Sequence, residues 1–211
     1  MSTEHLPVFP LNVPLMPGCI MPLQIFEKRY LDMVSHCMRT NTGFVVTLLK
    51  PGSERQEVIR PNQTEEQDTL PFYNQGTLAQ IVDFDQRDNG LLAITIEGKE
   101  RRNLTQIDQS NSGLWQANTV TVLETGSPSG ENKDVLIGLF ERALSMNGNL
   151  AEKIQPKKLT TEQLMNYLIM FLPLAADLKQ SLVENGDLSD RWKQLLTTLS
   201  ALLDTNQSTI Q

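Results

Sequence analysis

The sequence predicts an α+β fold: a barrel-like β-sheet with one short helix over residues 1–125, followed by a C-terminal helical bundle over residues 126–211. Three observations predict it. Prolines and period-two apolar patterns dominate the first 125 residues, and leucine stripes at helical spacing dominate the remainder. Between them, Gly126-Ser127-Pro128-Ser129-Gly130 has the chemistry of a linker. The 211 residues are 39% apolar and 20% charged, close to a globular average, so each part can bury a core.

Residues 6–23 carry Pro7, Pro10, Pro14, Pro17 and Pro22. Proline stops helices and donates nothing to a sheet ladder, so this is extended chain with edge-strand and turn character. The period then changes: Tyr30, Met33, Val34, Cys37 and Met38 follow i, i+3, i+4, i+7, i+8, which predicts an amphipathic helix over 27–38. Gly43 releases the chain into Phe44-Val45-Val46-Thr47-Leu48-Leu49, a buried strand by its β-branched content. Residues 51–75, with Glu54, Glu57, Glu65, Glu66 and Asp68 and few apolar side chains, read as a solvated loop, and strands resume at Gly76. Residues 77–84 and 91–97 flank Asp88-Asn89-Gly90, whose Asn-Gly pair suits a tight hairpin turn. Leu92, Ile94 and Ile96 alternate with Ala93, Thr95 and Glu97 as a half-buried strand does, and Val120 and Val122 alternate with Thr119 and Thr121 in a last strand over 115–123.

The helical part begins with the stripe Val135, Leu136, Leu139, Phe140, Ala143 and Leu144. Thr160 and Gln163 have capping-box spacing and open a helix with Leu164, Leu168, Phe171 and Leu172, which Pro173 kinks or breaks. Leu174, Leu178 and Leu182 continue to Gly186, a C-cap by residue type, and Leu188, Trp192, Leu195, Leu196, Leu199, Leu202 and Leu203 mark the last helix.

Eighteen Lys and Arg against twenty-five Asp and Glu give a net charge of −7, acidic in both parts, which argues against a general nucleic-acid binder. Met1-Ser2-Thr3-Glu4-His5 has no basic stretch leading into an apolar run. The longest apolar run, residues 167–176, includes Pro173 and falls far short of the ~20 residues that cross a bilayer. These readings predict a cytoplasmic protein with no membrane partner, its Cys19 and Cys37 free thiols in a reducing compartment. No glycines are spaced G-x-G, Gly126 and Gly130 are too close for a P-loop, and Pro128 stands where a nucleophile-elbow serine belongs. His5, Cys19, His36 and Cys37 have zinc-ligand types without a C-x-x-C pair, and Cys37 lies on an apolar stripe, which favours a core role with His36 in solvent. Asp83 and Asp85 flank a hairpin, where carboxylates are ordinarily solvated. Lys99, Arg101 and Arg102, diluted by Glu97 and Glu100, read as a solvated strand end. No catalytic residue, metal or cofactor is expected.

Leu6-Pro7-Val8-Phe9-Pro10-Leu11-Asn12, Pro17-Gly18 and Met21-Pro22-Leu23-Gln24-Ile25-Phe26-Glu27-Lys28-Arg29-Tyr30 resemble the opening of the Lon protease N-terminal domain. The resemblance continues through Gly76-Thr77-Leu78-Ala79-Gln80-Ile81-Val82-Asp83-Phe84, Asn89-Gly90-Leu91-Leu92-Ala93-Ile94-Thr95-Ile96-Glu97-Gly98 and Arg101-Arg102, and through Lys179-Gln180, Leu182, Glu184, Arg191 and Leu195. It implies a PUA-like β-barrel followed by a helical bundle, in a module that binds protein substrates. Because the sequence stops at Gln211 without ATPase or Ser–Lys peptidase modules, it implies a stand-alone, non-catalytic version, an adaptor or regulator of proteolysis. Its partners are then unfolded or exposed protein segments and a protease. The other reading is RNA contact, as in other PUA-like domains. The candidate peptide-binding residues are Glu27, Lys28, Arg29 and Tyr30, which also have a structural explanation: Glu27 favours a helix start and Arg29 can pair with it. Phe9, Leu11, Leu23, Ile25 and Phe26 are expected to seal the barrel against the short helix.

Overall fold

Pairing of the apolar runs generates the sheet. The computed structural model describes residues 3–53, 70–86, 90–145 and 153–208. Among these, six strands form one sheet: β1 (Glu4–Leu11), β2 (Ile20–Ile25), β3 (Phe44–Leu49), β4 (Phe72–Gln86), β5 (Leu92–Gln109) and β6 (Trp115–Thr121). The order is β2-β5-β4-β3-β1-β6, and a further β5–β6 pairing closes five strands into a ring with β2 outside it. The length of β5 makes this possible. Residues 92–97 lie between β2 and β4, whereas β6 pairs with β5 from Arg102 onward. Near the switch, Gly98 exchanges backbone hydrogen bonds with Gly18 and Cys19, and a Cβ on Gly98 would stand 2.2 Å from the Met16 carbonyl oxygen. The Pro17-Gly18 turn is thereby seated on the sheet.

Alternation in β3 explains why all six of its residues are buried. Val45 and Leu49 join Val8, Phe72, Leu104 and Ala117 in one small core. Phe44 and Val46 join a larger core that runs from Phe9 and Ile96 through Phe140 and Leu168 to Trp192 and Leu199, spanning both sides of residue 125. The expected edge character of the proline-rich start holds for β2, which among the described residues pairs only with β5, and fails for β1, which lies between β3 and β6. Pro7 sits where the register pairs β1 with β6, and Pro10 where it pairs β1 with β3. Each proline thus has one side of the strand on which no N–H is required.

Other strand predictions need correction too: the strand expected over 91–97 runs on to Gln109, and the one expected over 115–123 ends at Thr121. β4 starts at Phe72 rather than Gly76, because Phe72 is fully buried and meets Trp115 edge-on at 5.4 Å. Residues 54–69 of the expected loop, and Asp88 and Asn89 of the expected turn, lie outside the described residues; Gly90 has φ +80°. In β6 the inward side chains are Ala117 and Thr119, not the valines. Thr119 is accommodated because its hydroxyl donates to the Glu4 carbonyl at 3.1 Å.

Helix α1 (Lys28–Thr40) ends at Asn41 in the left-handed region and buries Tyr30, Met33, Val34 and Cys37; Met38, expected on the same stripe, is 40% exposed. The later helices are α2 (Lys133–Ser145), α3 (Thr161–Phe171), α4 (Ala176–Glu184) and α5 (Leu188–Ser208), with a 3₁₀ turn at Pro156–Lys158. α3 packs against α2, α4 and α5 and is buried at every position from 164 to 170, including Asn166, whose Nδ2 donates to the Pro17 carbonyl at 2.9 Å. Its capping box forms as predicted: Thr160 Oγ1 accepts from the Gln163 N–H, and the Thr160 N–H donates to Gln163 Oε1, both at 3.1 Å. Thr160→Ala is expected to cost about 1 kcal/mol of stability, measured by urea unfolding. α3 stops at Phe171, so Pro173 breaks the helix rather than kinking it. In α2 the buried stripe narrows to Leu136, Phe140 and Leu144, leaving Val135 exposed. Gly186 is not a helix cap: α4 ends at Glu184 with Asn185 in extended conformation. The side chains of Leu202 and Leu203 lie outside the described residues.

Candidate functional site

The four residues singled out at the start of α1 divide between core and solvent. Tyr30 is buried, with its ring 4.2 Å from that of Phe9. The Arg29 guanidinium lies 4.6 Å from the Tyr30 ring, donates from Nε to Glu27 Oε2 at 2.9 Å, and donates from Nη1 to the Gly113 carbonyl at 2.9 Å. Glu27 occupies the N-cap position without a side-chain cap bond, and Lys28 is solvated, paired with Asp32 one turn on. Arg29 and Tyr30 therefore fasten α1 to the sheet, while Glu27 and Lys28 face outward. Phe26, expected to seal the barrel, is 69% exposed instead, because the chain leaves β2 at Ile25 before entering α1.

The basic cluster is the larger correction. Arg101 and Arg102 are not a solvated strand end; they are 0% and 4% exposed. Arg102 is held by Glu4 at 3.0 Å and Glu100 at 2.5 Å. Arg101 crosses to the helical part, where its Nη1 donates to the Val183 carbonyl and its Nε lies 3.0 Å from Glu124 Oε1. The same Glu124 oxygen accepts from Arg191 Nη2 at 2.5 Å, and Arg191 also donates to the Asn185 carbonyl. Burial lowers the Arg101 pKa, and the neighbouring Arg191 charge lowers it further. Gly186 runs beneath this guanidinium, where a Cβ would meet Arg101 Nη2 at 3.4 Å. The sequence marked these residues by charge and by the family motif, and Arg191 by the motif as well; Glu124, which joins Arg101 to Arg191 and gives Arg101 its buried role, carries neither signal.

Neither thiol has the setting of a nucleophile. Burial raises the Cys19 pKa well up, with Glu162 adding to it, and burial also raises that of Cys37. His36 is exposed, and His5 shares a hydrogen bond with Asn118 at 3.0 Å. Among the described residues, no three His, Cys, Asp or Glu side chains gather to hold a metal, and no helix is long and apolar enough to cross a membrane.

What the surface does offer is apolar. Phe84 is 61% exposed and Val82 49%, both on β4 near its distal end, with the exposed Met38 on α1 beside them. Two clefts meet at Phe84. One, about 220 Å³, lies between the end of α1 and β4 and includes Cys37, Met38, Thr42, Val82 and Phe84. The other, about 550 Å³, crosses the sheet and includes Pro22, Gln24, Asp83, Asp85, Thr95 and Lys153. The register places Phe84 opposite Ile94, and Asp83 and Asp85 opposite Thr95 and Ala93, so the aromatic ring and the carboxylates belong to opposite faces of the sheet. Sequence reasoning missed Val82. The β4 register slips by one residue between Ile81 and Asp83, and that bulge leaves Val82 outside the alternation. A signal for Phe84 was present: an aromatic between two carboxylates near a hairpin tip.

Known proteins share this fold. A family described as the ATP-dependent protease La (LON) substrate-binding domain matches residues 5–201. The chain is 22% identical over 212 residues to a Lon protease of Escherichia coli, covering 95% of this chain and 25% of that protein. It is 23% identical to a Lon protease of Parabacteroides distasonis, covering 93% and 24%. The chain thus spans about a quarter of the length of these relatives. The crystal structure of a Lon N-terminal domain protein from Xanthomonas campestris superimposes with a TM-score of 0.65 at 27% identity, covering 92% of this chain and 98% of that one. The N-terminal domain of a Mycobacterium avium complex Lon protease gives 0.57 at 15% identity, a likeness of fold, covering 92% and 97%.

Proposed function

The chain belongs to the LON substrate-binding domain family, and from that membership we propose that it is a non-catalytic module that binds exposed apolar segments of other proteins. The observation that carries this reading is the exposed Phe84, with Val82 and Met38, at the junction of two clefts. Solvated large apolar groups gathered beside concave surface favour association, because covering them removes apolar area from water. Phe26 follows Ile25, which pairs with Leu92 and through it with Gln86, so it stands at the same end of the sheet. Glu27 and Lys28 supply a polar rim there, and Arg29 and Tyr30 hold that rim in place from below. In this reading the strands form a PUA-like barrel and residues 126–211 a helical bundle. The module acts as an adaptor or regulator that presents such segments to a protease. RNA contact finds less support, since Arg101 and Arg102 are buried and paired with carboxylates.

Chemical crosslinking to a reduced, carboxymethylated model protein tests the proposal. Excess capture over the folded control is expected, and Phe84→Ser is expected to weaken it about tenfold or more, the effect of removing an aromatic side chain worth ~1.5–3 kcal/mol on burial. Equal capture of folded and unfolded forms would overturn the reading.

A further inference from the structure

The backbone of the same region indicates how a segment would be held. β3 pairs with β4 only as far as Phe44 opposite Ala79, because the preceding residues turn away into α1. β4 continues through residues 80–86 with β5 on one side and, among the described residues, no strand on the other. Such an edge presents unpaired N–H and C=O groups to an incoming chain. The other open edge, on β2, is blunted: it contains Pro22, and its Ile20 N–H is taken by the Tyr167 hydroxyl at 3.0 Å. The β4 edge has no proline; it carries the bulge at Val82 and its Gln86 N–H is taken by Asp85, which leaves the remaining edge groups to the groove that runs along it against α1.

The two faces of this edge differ in chemistry. Phe84 and, across the groove, Met38 supply apolar surface on one side; Asp83 and Asp85 supply carboxylates on the other. Asp83 has a 3.5 Å surface contact with Lys153, and Asp85 accepts from the adjacent Gln86 N–H. A second copy of this chain is a poor occupant, because isologous pairing would set these carboxylates near their own copies in a protein already at −7. We propose that residues 80–86 of β4 accept an extended segment of a partner protein as an added strand, and that the preferred segment alternates apolar with basic residues. The inference rests on the protein-binding reading of this surface and specifies the conformation and charge of what it takes. Main-chain hydrogen bonds hold the strand, and its side chains meet Phe84 and Met38 on one face and Asp83 and Asp85 on the other.

The test uses the full chain and a blocked, fluorescently labelled seven-residue peptide of alternating valine and lysine, titrated by anisotropy. Binding at least tenfold tighter than that of the valine–glutamate counterpart is expected, with Asp85→Lys removing or reversing the preference. Methylating alternate peptide nitrogens separates strand addition from general apolar adhesion. One of the two alternating patterns is expected to lose binding at least tenfold and the other to retain it. If neither pattern matters while unfolded protein is still captured in a Phe84-dependent way, strand addition is wrong and the protein-binding reading survives. Equal affinity for the lysine and glutamate peptides would overturn the charge preference, and a dimer strengthened by Asp85→Lys would assign the edge to a second copy instead.

Discussion

Replacing Glu124 with alanine is expected to lower stability by about 3–5 kcal/mol, the range for breaking a buried ion pair from one side. Arg101 and Arg191 are both 0% exposed, and both approach the same Glu124 oxygen, at 3.0 and 2.5 Å. Removing that carboxylate leaves two desolvated guanidinium groups facing each other, and the repulsion already felt at Arg101 grows without its counterion. The site is also a junction of distant segments: Arg101 lies on β5, Glu124 follows β6, and Arg191 lies on α5. Its loss therefore loosens the helices from the sheet rather than one local turn. Glu124→Gln keeps an oxygen acceptor but not the charge, and an intermediate loss is expected. Urea unfolding measures both, and a loss below ~1 kcal/mol in Glu124→Ala would mean that water reaches the guanidinium groups.

That cluster also shows where sequence reading stops. Thr160 with Gln163 was legible because a capping box is made by residues three apart, and β3 because β-branched content and Gly43 act locally. Arg101 and Arg102 were misread for the opposite reason. A charged pair on a strand looks solvated until its partners are known, and the fold brings Glu124 to Arg101 and Glu4 to Arg102. β1 was misplaced as an edge because its prolines exclude donors at two positions, whereas the staggered ladders of β3 and β6 need none there. Phe26 fails in the other direction. An aromatic residue is read as core by default, and only the topology shows that Phe26 is left in the β2–α1 corner. The family was legible because its motifs are contiguous, but the surface proposed for binding is assembled from α1 and β4, far apart in sequence.

Trp192 provides the counterpart to Phe84. It is fully buried in α5, the largest such side chain in the protein, within the core that runs from the sheet to the helices. Trp192→Ala is expected to cost about 3–5 kcal/mol, since the lost burial is compounded by a cavity that close-packed neighbours fill only in part. Trp192→Phe is expected to cost much less, about 1.5 kcal/mol or below. Among the described residues the indole Nε1 has no hydrogen-bond partner, so phenylalanine removes an unsatisfied buried donor while keeping a ring in place. Thermal unfolding of the two variants measures the difference, and equal losses would show that the indole N–H, or a water bound to it, contributes to the fold. Set beside Phe84→Ser, the pair separates the two uses of aromatic residues here. At low temperature, where enough folded protein persists, Trp192→Phe should retain the binding of unfolded protein proposed for the parent chain despite its lower melting point. Phe84→Ser should melt like the parent and bind about tenfold or more weakly, because its ring faces solvent in the free protein.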